Sequence, residues 1–190
     1  MAQTPEPITD ESIALRVQAG EAEPFAELVT RYQPKLMRYA RKFLADRDDA
    51  EDIVQDVFIK AYSNIQSFDA SRRFSPWIYR IAHNEFVNEI KKKASRRTVF
   101  SFDIDTLLPH LAAPERTDSV SLERDLRQTL EGHLDSLDPK YREPLILYYL
   151  EEMDYKEISD ILQIPVSTVG VRLARARAQL QKNAGDSLYE

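Results

Sequence analysis

The residues best equipped for chemistry in this chain are its charged and aromatic ones, and their spacing favours contact with polymers over catalysis. Asp49, Glu51, Asp52 and Asp56, with Gln55 among them, crowd into eight positions. On a helix, steps of three and four residues gather most of them along one side. Paired carboxylates can hold a metal ion, but no His lies near these and the acids extend along a whole helix side, so no metal site is expected. Two readings stay open: a solvated face, or a docking face for a basic partner. A second group interleaves Phe68, Phe74, Trp77, Tyr79 and Phe86 with Arg72, Arg73, Arg80 and the run Lys91-Lys92-Lys93. Rings and cations together can hold single-stranded DNA, bases stacking on the rings while phosphates meet the charges. The plainer reading makes the aromatics core. It suits Trp77 and Phe86, on an apolar stripe, better than Phe68 and Phe74, which read as loop residues open to function. His83 and Asn84 follow one turn after Arg80, and a lone His there reads as a polar surface residue. The third group is Ser167, Thr168, Arg172, Arg175 and Gln179, of which the last four share one helix face. Arg and Gln can read base edges, and Ser and Thr reach phosphates. The alternative is a basic helix that merely packs in a bundle.

No nucleophile motif, Gly-rich phosphate loop or metal-ligand spacing occurs, so neither an enzyme nor a cofactor is expected. The chain has no cysteine, which excludes disulfides and thiolate metal sites within it. No run of about 18 apolar residues suggests membrane insertion, and Met1–Asp10 lacks the basic and apolar regions of a secretory signal. A cytoplasmic protein is expected. The net charge of -6 is unusual for a DNA-binding chain. The signs are segregated, however. Arg72–Arg97 and Val166–Lys182 are basic islands, while Glu115–Asp160 is strongly acidic. Two basic islands in an acidic chain suggest two separate phosphate-facing surfaces.

The elements that must position these groups read as helices throughout. Asp10 is placed to cap a short helix that Gly20 ends. Phe25, Leu28, Val29, Tyr32, Leu36, Tyr39, Ala40 and Phe43 form a second helical stripe, with Pro34 as a candidate kink. Asp46–Asp49 break that pattern. Ile53, Val54, Val57, Phe58, Ala61, Tyr62 and Ile65 define a third helix, and Asn64–Ser75 reads as a loop. Ser75-Pro76 starts a fourth helix, which turns Trp77, Ile78, Ile81, Ala82, Phe86 and Ile90 inward. Thr98–Val120, with Pro109 and Pro114, reads as a linker. Beyond it, Val120, Leu122, Leu126, Leu130, Leu134 and Leu137 fit one helix, and Asp138-Pro139 starts another. Asp154-Tyr155-Lys156-Glu157 is a capping-box pattern. It opens a short helix, followed by a turn at Gln163–Pro165 and a long basic helix from Val166. That is a helix-turn-helix layout. Ile158, Ile161, Ile164, Val169 and Leu173 form its core, and Ser159 is small where the helices approach. Gln163 holds the place where Gly is usual. The expected fold class is all-α: two helical domains joined by a flexible linker, the C-terminal one containing a helix-turn-helix.

Three linked stretches resemble sigma-70-type RNA polymerase specificity factors. Ala50-Glu51-Asp52-Ile53-Val54-Gln55-Asp56-Val57-Phe58-Ile59-Lys60-Ala61-Tyr62 is similar to their core-binding helix. Phe74-Ser75-Pro76-Trp77-Ile78-Tyr79-Arg80-Ile81-Ala82-His83-Asn84 is similar to the promoter-melting and −10 segment that follows it. Leu137 through Arg177 resembles the −35-reading domain. The order and spacing match the family, and the short chain points to its extracytoplasmic-function (ECF) group. The resemblance implies domains over 1–97 and 120–190 with a linker over 98–119 that threads toward the RNA exit path. It implies core-polymerase contacts, on the β′ clamp helices, from Asp49, Glu51, Asp52, Gln55, Asp56 and Phe58. Asn64, Ser67, Phe68, Arg72, Arg73, Trp77, Arg80 and Asn84 would handle the −10 strand and a flipped base. Ser167, Thr168, Arg172, Arg175 and Gln179 would grip the −35 duplex. The implied partners are core polymerase (clamp helices and the β flap), promoter DNA and an anti-sigma factor that covers the polymerase-binding faces. Gly170 and Val171 depart from the family, where Arg or Lys and then Ser are common, so the usual −35 preference is not carried over. A stand-alone helix-turn-helix regulator is the alternative, but it has no use for the acidic helix and the aromatic-basic segment.

Overall fold

The computed structural model describes residues 8–42, 47–96, 134 and 137–187. Seven α-helices and one 3-10 turn account for the regular structure there, and no strand occurs among the described residues. The chain divides into two units, Met1–Lys91 and Lys92–Glu190. The expected linker, Phe43, and all of the helix expected over Val120–Leu137 except Leu134 and Leu137 lie outside the described residues; those two leucines are buried.

In the first unit, α1 spans Asp10–Gln18. Its cap is Thr9, whose Oγ1 accepts from the Ser12 N–H, and not Asp10. The Asp10 carboxylate is taken by α2 (Phe25–Arg41), accepting from Arg31 Nη1 and the Tyr32 hydroxyl, each at 2.6 Å. Gly20 ends α1 as expected: at φ +100 it lets Gly20 N–H reach Val17 O and Glu21 N–H reach Arg16 O, the paired bonds of a Schellman ending. Helix α2 continues through Pro34, which is exposed, so the carbonyl it leaves unpaired can meet water. Helix α3 spans Arg47–Ser63 and begins earlier than the acidic run suggests, with Asp48 and Asp49 in its first turn. An acidic residue there, as at Asp49, complements the positive end of the helix dipole instead of breaking the helix. After a 3-10 turn at Ile65–Ser67, α4 runs over Phe74–Arg96. It starts at Phe74, one residue before Ser75, because Glu11 Oε1 on α1 accepts the Phe74 N–H at 2.9 Å. Pro76 then falls in the first turn, where its missing N–H costs nothing. Leu28, Leu36 and Tyr39 of α2, Val54, Val57 and Ala61 of α3, and Ile78, Ala82 and Phe86 of α4 meet in a buried core, against which Ile13 and Val17 seat α1. Ile90, expected inward, is exposed, since the last turns of α4 run past that core.

The second unit has α5 (Pro139–Tyr149), α6 (Tyr155–Leu162) and α7 (Val166–Ser187). Asp138 caps α5 by accepting from Lys140 N–H, with Pro139 at the first helical position. The capping box is present: Asp154 Oδ1 accepts from Glu157 N–H at 2.8 Å, and Glu157 Oε2 accepts from Asp154 N–H at 2.9 Å. Gln163 turns the chain in the left-handed region, φ +54. Ser159, half-buried at this crossing, donates its hydroxyl to Ile164 O and locks the turn. Val169, Leu173, Ala176 and Leu180 of α7 are buried with Ile158 and Ile161 of α6 and Leu145 and Ile146 of α5.

Candidate functional site

The acidic helix α3 buries Val54, Val57, Phe58 and Ala61. Its opposite side therefore faces solvent, and Glu51, Asp52, Gln55 and Asp56 are exposed there, with Asp49 half-buried. In their midst Ile59 is 62% exposed, three and four residues beyond Asp56 and Gln55. An apolar side chain so placed, rimmed by acids, makes this a mixed surface and not only a solvated one. A groove of about 610 Å³ runs beside it, with Val29, Gln33 and Met37 of α2 forming one wall and Glu51, Gln55 and Ile59 of α3 the other. The contribution of α2 is not evident in the sequence, because Val29 reads there as one more core residue. Phe58 is buried and packs edge-on against Phe25, so it supports this face from beneath. Lys60 Nζ, 2.5 Å from Glu85 Oε2, ties α3 to α4.

The aromatic-basic segment has a buried half and an exposed half. Phe68 and Phe74, expected to be open loop aromatics, are 5% and 0% exposed. Their rings pack together at 5.3 Å, Tyr32 joins Phe74 at 5.3 Å, and Trp77 closes the cluster at 5.3 Å from Phe68 and 5.4 Å from Phe74. Burying two phenyl rings outweighs leaving them in a loop to wait for a base. Trp77, expected as core, is only half-buried and forms the outer edge of this stack. Arg80, Asn84, Asn88 and Lys91 follow it along α4, all exposed at steps of three and four residues. Asn88 belongs to this row by its spacing from Asn84, a signal present in the sequence but easily passed over. Arg72 and Arg73 stand exposed on the loop before α4. That loop is built. Asn64 Nδ2 donates to Lys60 O, the Ser67 hydroxyl donates to Asn64 O, and Asp69 Oδ1 accepts from both the N–H and the hydroxyl of Ser71. Those bonds, the side-chain one first, hold the Asp69 carboxyl below its ordinary pKa.

In the second unit, Ser167 and Gln179 are exposed, and Thr168, Arg172 and Arg175 are half-buried. Arg175 Nη1 lies 3.5 Å from the Tyr141 hydroxyl on α5, and Arg177 Nη2 donates to the Tyr155 hydroxyl on α6 at 3.2 Å. Arg177 therefore braces the two helices of the motif, leaving Arg172 and Arg175 as the cations beside the exposed face. The part of α7 turned farthest from the core carries small side chains, with Ser167, Ala174 and Ala178 all exposed. No group of three or more potential ligands for a metal ion occurs among the described residues.

Two family models match the chain, Sigma-70 region 2 over residues 28–96 and Sigma-70 region 4 over 127–180. The ECF RNA polymerase sigma factor SigW of Bacillus subtilis is 37% identical over 184 residues, covering 90% of this chain and 94% of that one. The chain belongs to the ECF sigma factors. It is thus a specificity subunit for transcription initiation, which directs RNA polymerase to promoters. The ECF sigma-E factor of Escherichia coli K12 is 34% identical over 182 residues, covering 90% of this sigma factor and 92% of its own length. Among solved structures, CnrH in complex with the cytosolic domain of CnrY superposes with a TM-score of 0.66 at 26% identity, over 93% of this chain and 97% of that one. The sigma factor RpoE of Bartonella quintana, solved with the anti-sigma factor NepR, gives 0.63 at 25% identity, over 85% and 96%. The stand-alone regulator considered from sequence gives way to this assignment, because both sigma regions are matched in order.

Proposed function

We propose a division of labour between the two units. Residues 1–97 dock on core polymerase and open the −10 element, residues 98–119 link the domains, and residues 120–190 fix position on the −35 duplex and against the β flap. Docking uses the α3 face of Asp49, Glu51, Asp52, Gln55 and Asp56 around Ile59, with Phe58 as its support, against the β′ clamp helices. The observation that carries this is the exposure of Ile59 inside an acidic rim. Charge steers a basic partner, and the desolvated apolar centre then slows its release. On the promoter side, Trp77 offers a ring edge and Arg72, Arg73, Arg80 and Asn84 offer cations and an amide to the displaced strand. Asn64 and Ser67 shape the loop, and Phe68 backs Trp77 from within. In the second unit Arg172, Arg175, Ser167, Thr168 and Gln179 face the −35 groove.

The sigma factor acts in the cytoplasm without chemistry of its own, and no helix among the described residues is long and apolar enough to cross a membrane. An anti-sigma factor silences it by covering the polymerase-binding faces. The complex of the Bartonella relative with the anti-sigma factor NepR supports a partner of this kind.

The test is binding of the chain to core polymerase. Asp52→Lys with Gln55→Ala, on an exposed face that the core does not use, is expected to weaken binding at least ten-fold with the thermal midpoint kept. Unchanged binding would move the docking surface elsewhere.

A further inference from the structure

Helix α1 lies before residue 28, where the region 2 match begins. One side of it nevertheless grips both ends of the segment between α3 and α4. At its last residue, Gln18 Nε2 donates to Ile65 O at 2.7 Å and to Phe68 O at 2.8 Å, the carbonyls that bracket the 3-10 turn. Gln66 Nε2 returns a bond to Gln18 O at 2.9 Å. Seven residues earlier, two helical turns along the same side, Glu11 Oε1 accepts the Phe74 N–H that opens α4. Gln18 and Glu11 are both half-buried. Between the two anchor points, Ser71, Arg72 and Arg73 project into solvent. The loop thus hangs from α1 at Phe68 and at Phe74, and these two are the residues whose rings support Trp77.

From this geometry we infer that α1 is a clamp for the −10-reading loop, with Gln18 and Glu11 as positioning residues that set how well the loop discriminates among bases. The inference rests on the proposed role of residues 64–84 in handling the −10 strand. Taking a base out of the stack costs a few kcal/mol, so a pocket that must also order itself on binding loses selectivity. The Gln18 amide removes that cost in advance: it adds a second bond to Ile65 O, which already accepts the Phe68 N–H, and bonds Phe68 O, so both ends of the turn are held in one arrangement. A carboxamide is the right group. It supplies two N–H donors from one nitrogen, whereas a carboxylate would set an acceptor against two acceptors.

The experiment uses the full chain on core polymerase. It measures affinity for a fluorescent single-stranded oligonucleotide carrying the −10 element of a promoter that this holoenzyme transcribes, and for the versions altered at each base. Gln18→Ala and Gln18→Glu are expected to lower discrimination between the preferred and altered strands about ten-fold, with core binding unchanged. Trp77, the sole tryptophan, should emit further to the red as its packing on Phe68 loosens. Gln18→Lys, which restores donors, and Glu11→Gln, which keeps an acceptor, should recover most of the selectivity. Ile13 and Val17 hold α1 in the core independently, so these variants are expected to fold. If Gln18→Glu keeps both the discrimination and the Trp77 emission of the natural chain, the clamp is overturned while the −10 reading stands. If the natural chain itself shows no base preference on the strand, both are overturned.

Discussion

Gln163 and Gly170 flank the turn of the helix-turn-helix, and each carries the side chain its backbone would not choose. Gln163 sits at φ +54, where glycine rests freely and other residues pay about 1 kcal/mol, offset in small part by its Nε2 bond to Asp160 O. Gly170 lies inside α7, where it costs about 1 kcal/mol relative to alanine. A Cβ there would stand 3.6 Å from Tyr155 Cε2, an ordinary contact, so packing does not require glycine. Gln163→Gly and Gly170→Ala are each expected to stabilise the second unit by about 0.5–1 kcal/mol in chemical denaturation. A destabilising Gly170→Ala would show that Tyr155 does not accommodate a methyl group at this position. What the sequence conveyed at this scale was residue type, and what it hid was partnership. The capping box of Asp154 and Glu157 was legible because both partners lie within four residues. The Glu11 and Gln18 contacts were not, because their partners lie 47 to 63 residues away.

At the scale of elements, periodicity located α2, α3, α4 and the helix-turn-helix, because each buries one continuous stripe. It misjudged the ends. The run Asp46–Asp49 looked like a break, yet Asp49 serves the start of α3, and Phe68 and Phe74 looked like loop residues yet complete the core. The first error is local, since acids suit the first turn of a helix; the second arises because that loop and the start of α4 are set by contacts with another element, α1. The α1–α2 junction carries its own prediction. The Tyr32 phenol is pushed well above its ordinary pKa, by burial first and then by its hydrogen bond to Asp10. A raised folded pKa means that the neutral form stabilises the first unit fully below about pH 10, and that this contribution is lost as the pH rises beyond it. Tyr32→Phe is expected to lower stability by about 1–2 kcal/mol at pH 8 through the lost bond. In thermal melts, the gap between the two proteins should narrow above pH 10. A gap that stays constant to pH 11 would mean that the phenol is not held neutral.

At the scale of the whole molecule, the acidic sum and the DNA-directed function fit together once charge is followed along the chain. An overall charge of -6 weakens indiscriminate attraction to phosphate, so under the proposed division of labour DNA would be engaged by local basic rows, and productively only when polymerase holds the chain in place. In the proposed division of labour, both units must therefore act on one promoter through polymerase. Run-off transcription tests that most directly, with the purified chain added to sigma-free core polymerase on genomic promoters from the same source. The expected result is a discrete set of transcripts that share a −35 and a −10 element. Arg172→Ala with Arg175→Ala should weaken dependence on the first, and Arg80→Ala with Asn84→Ala should impair opening at the second. If the chain binds core polymerase yet yields no promoter-specific transcript, or if the −10 substitutions leave opening untouched, the division of labour is contradicted.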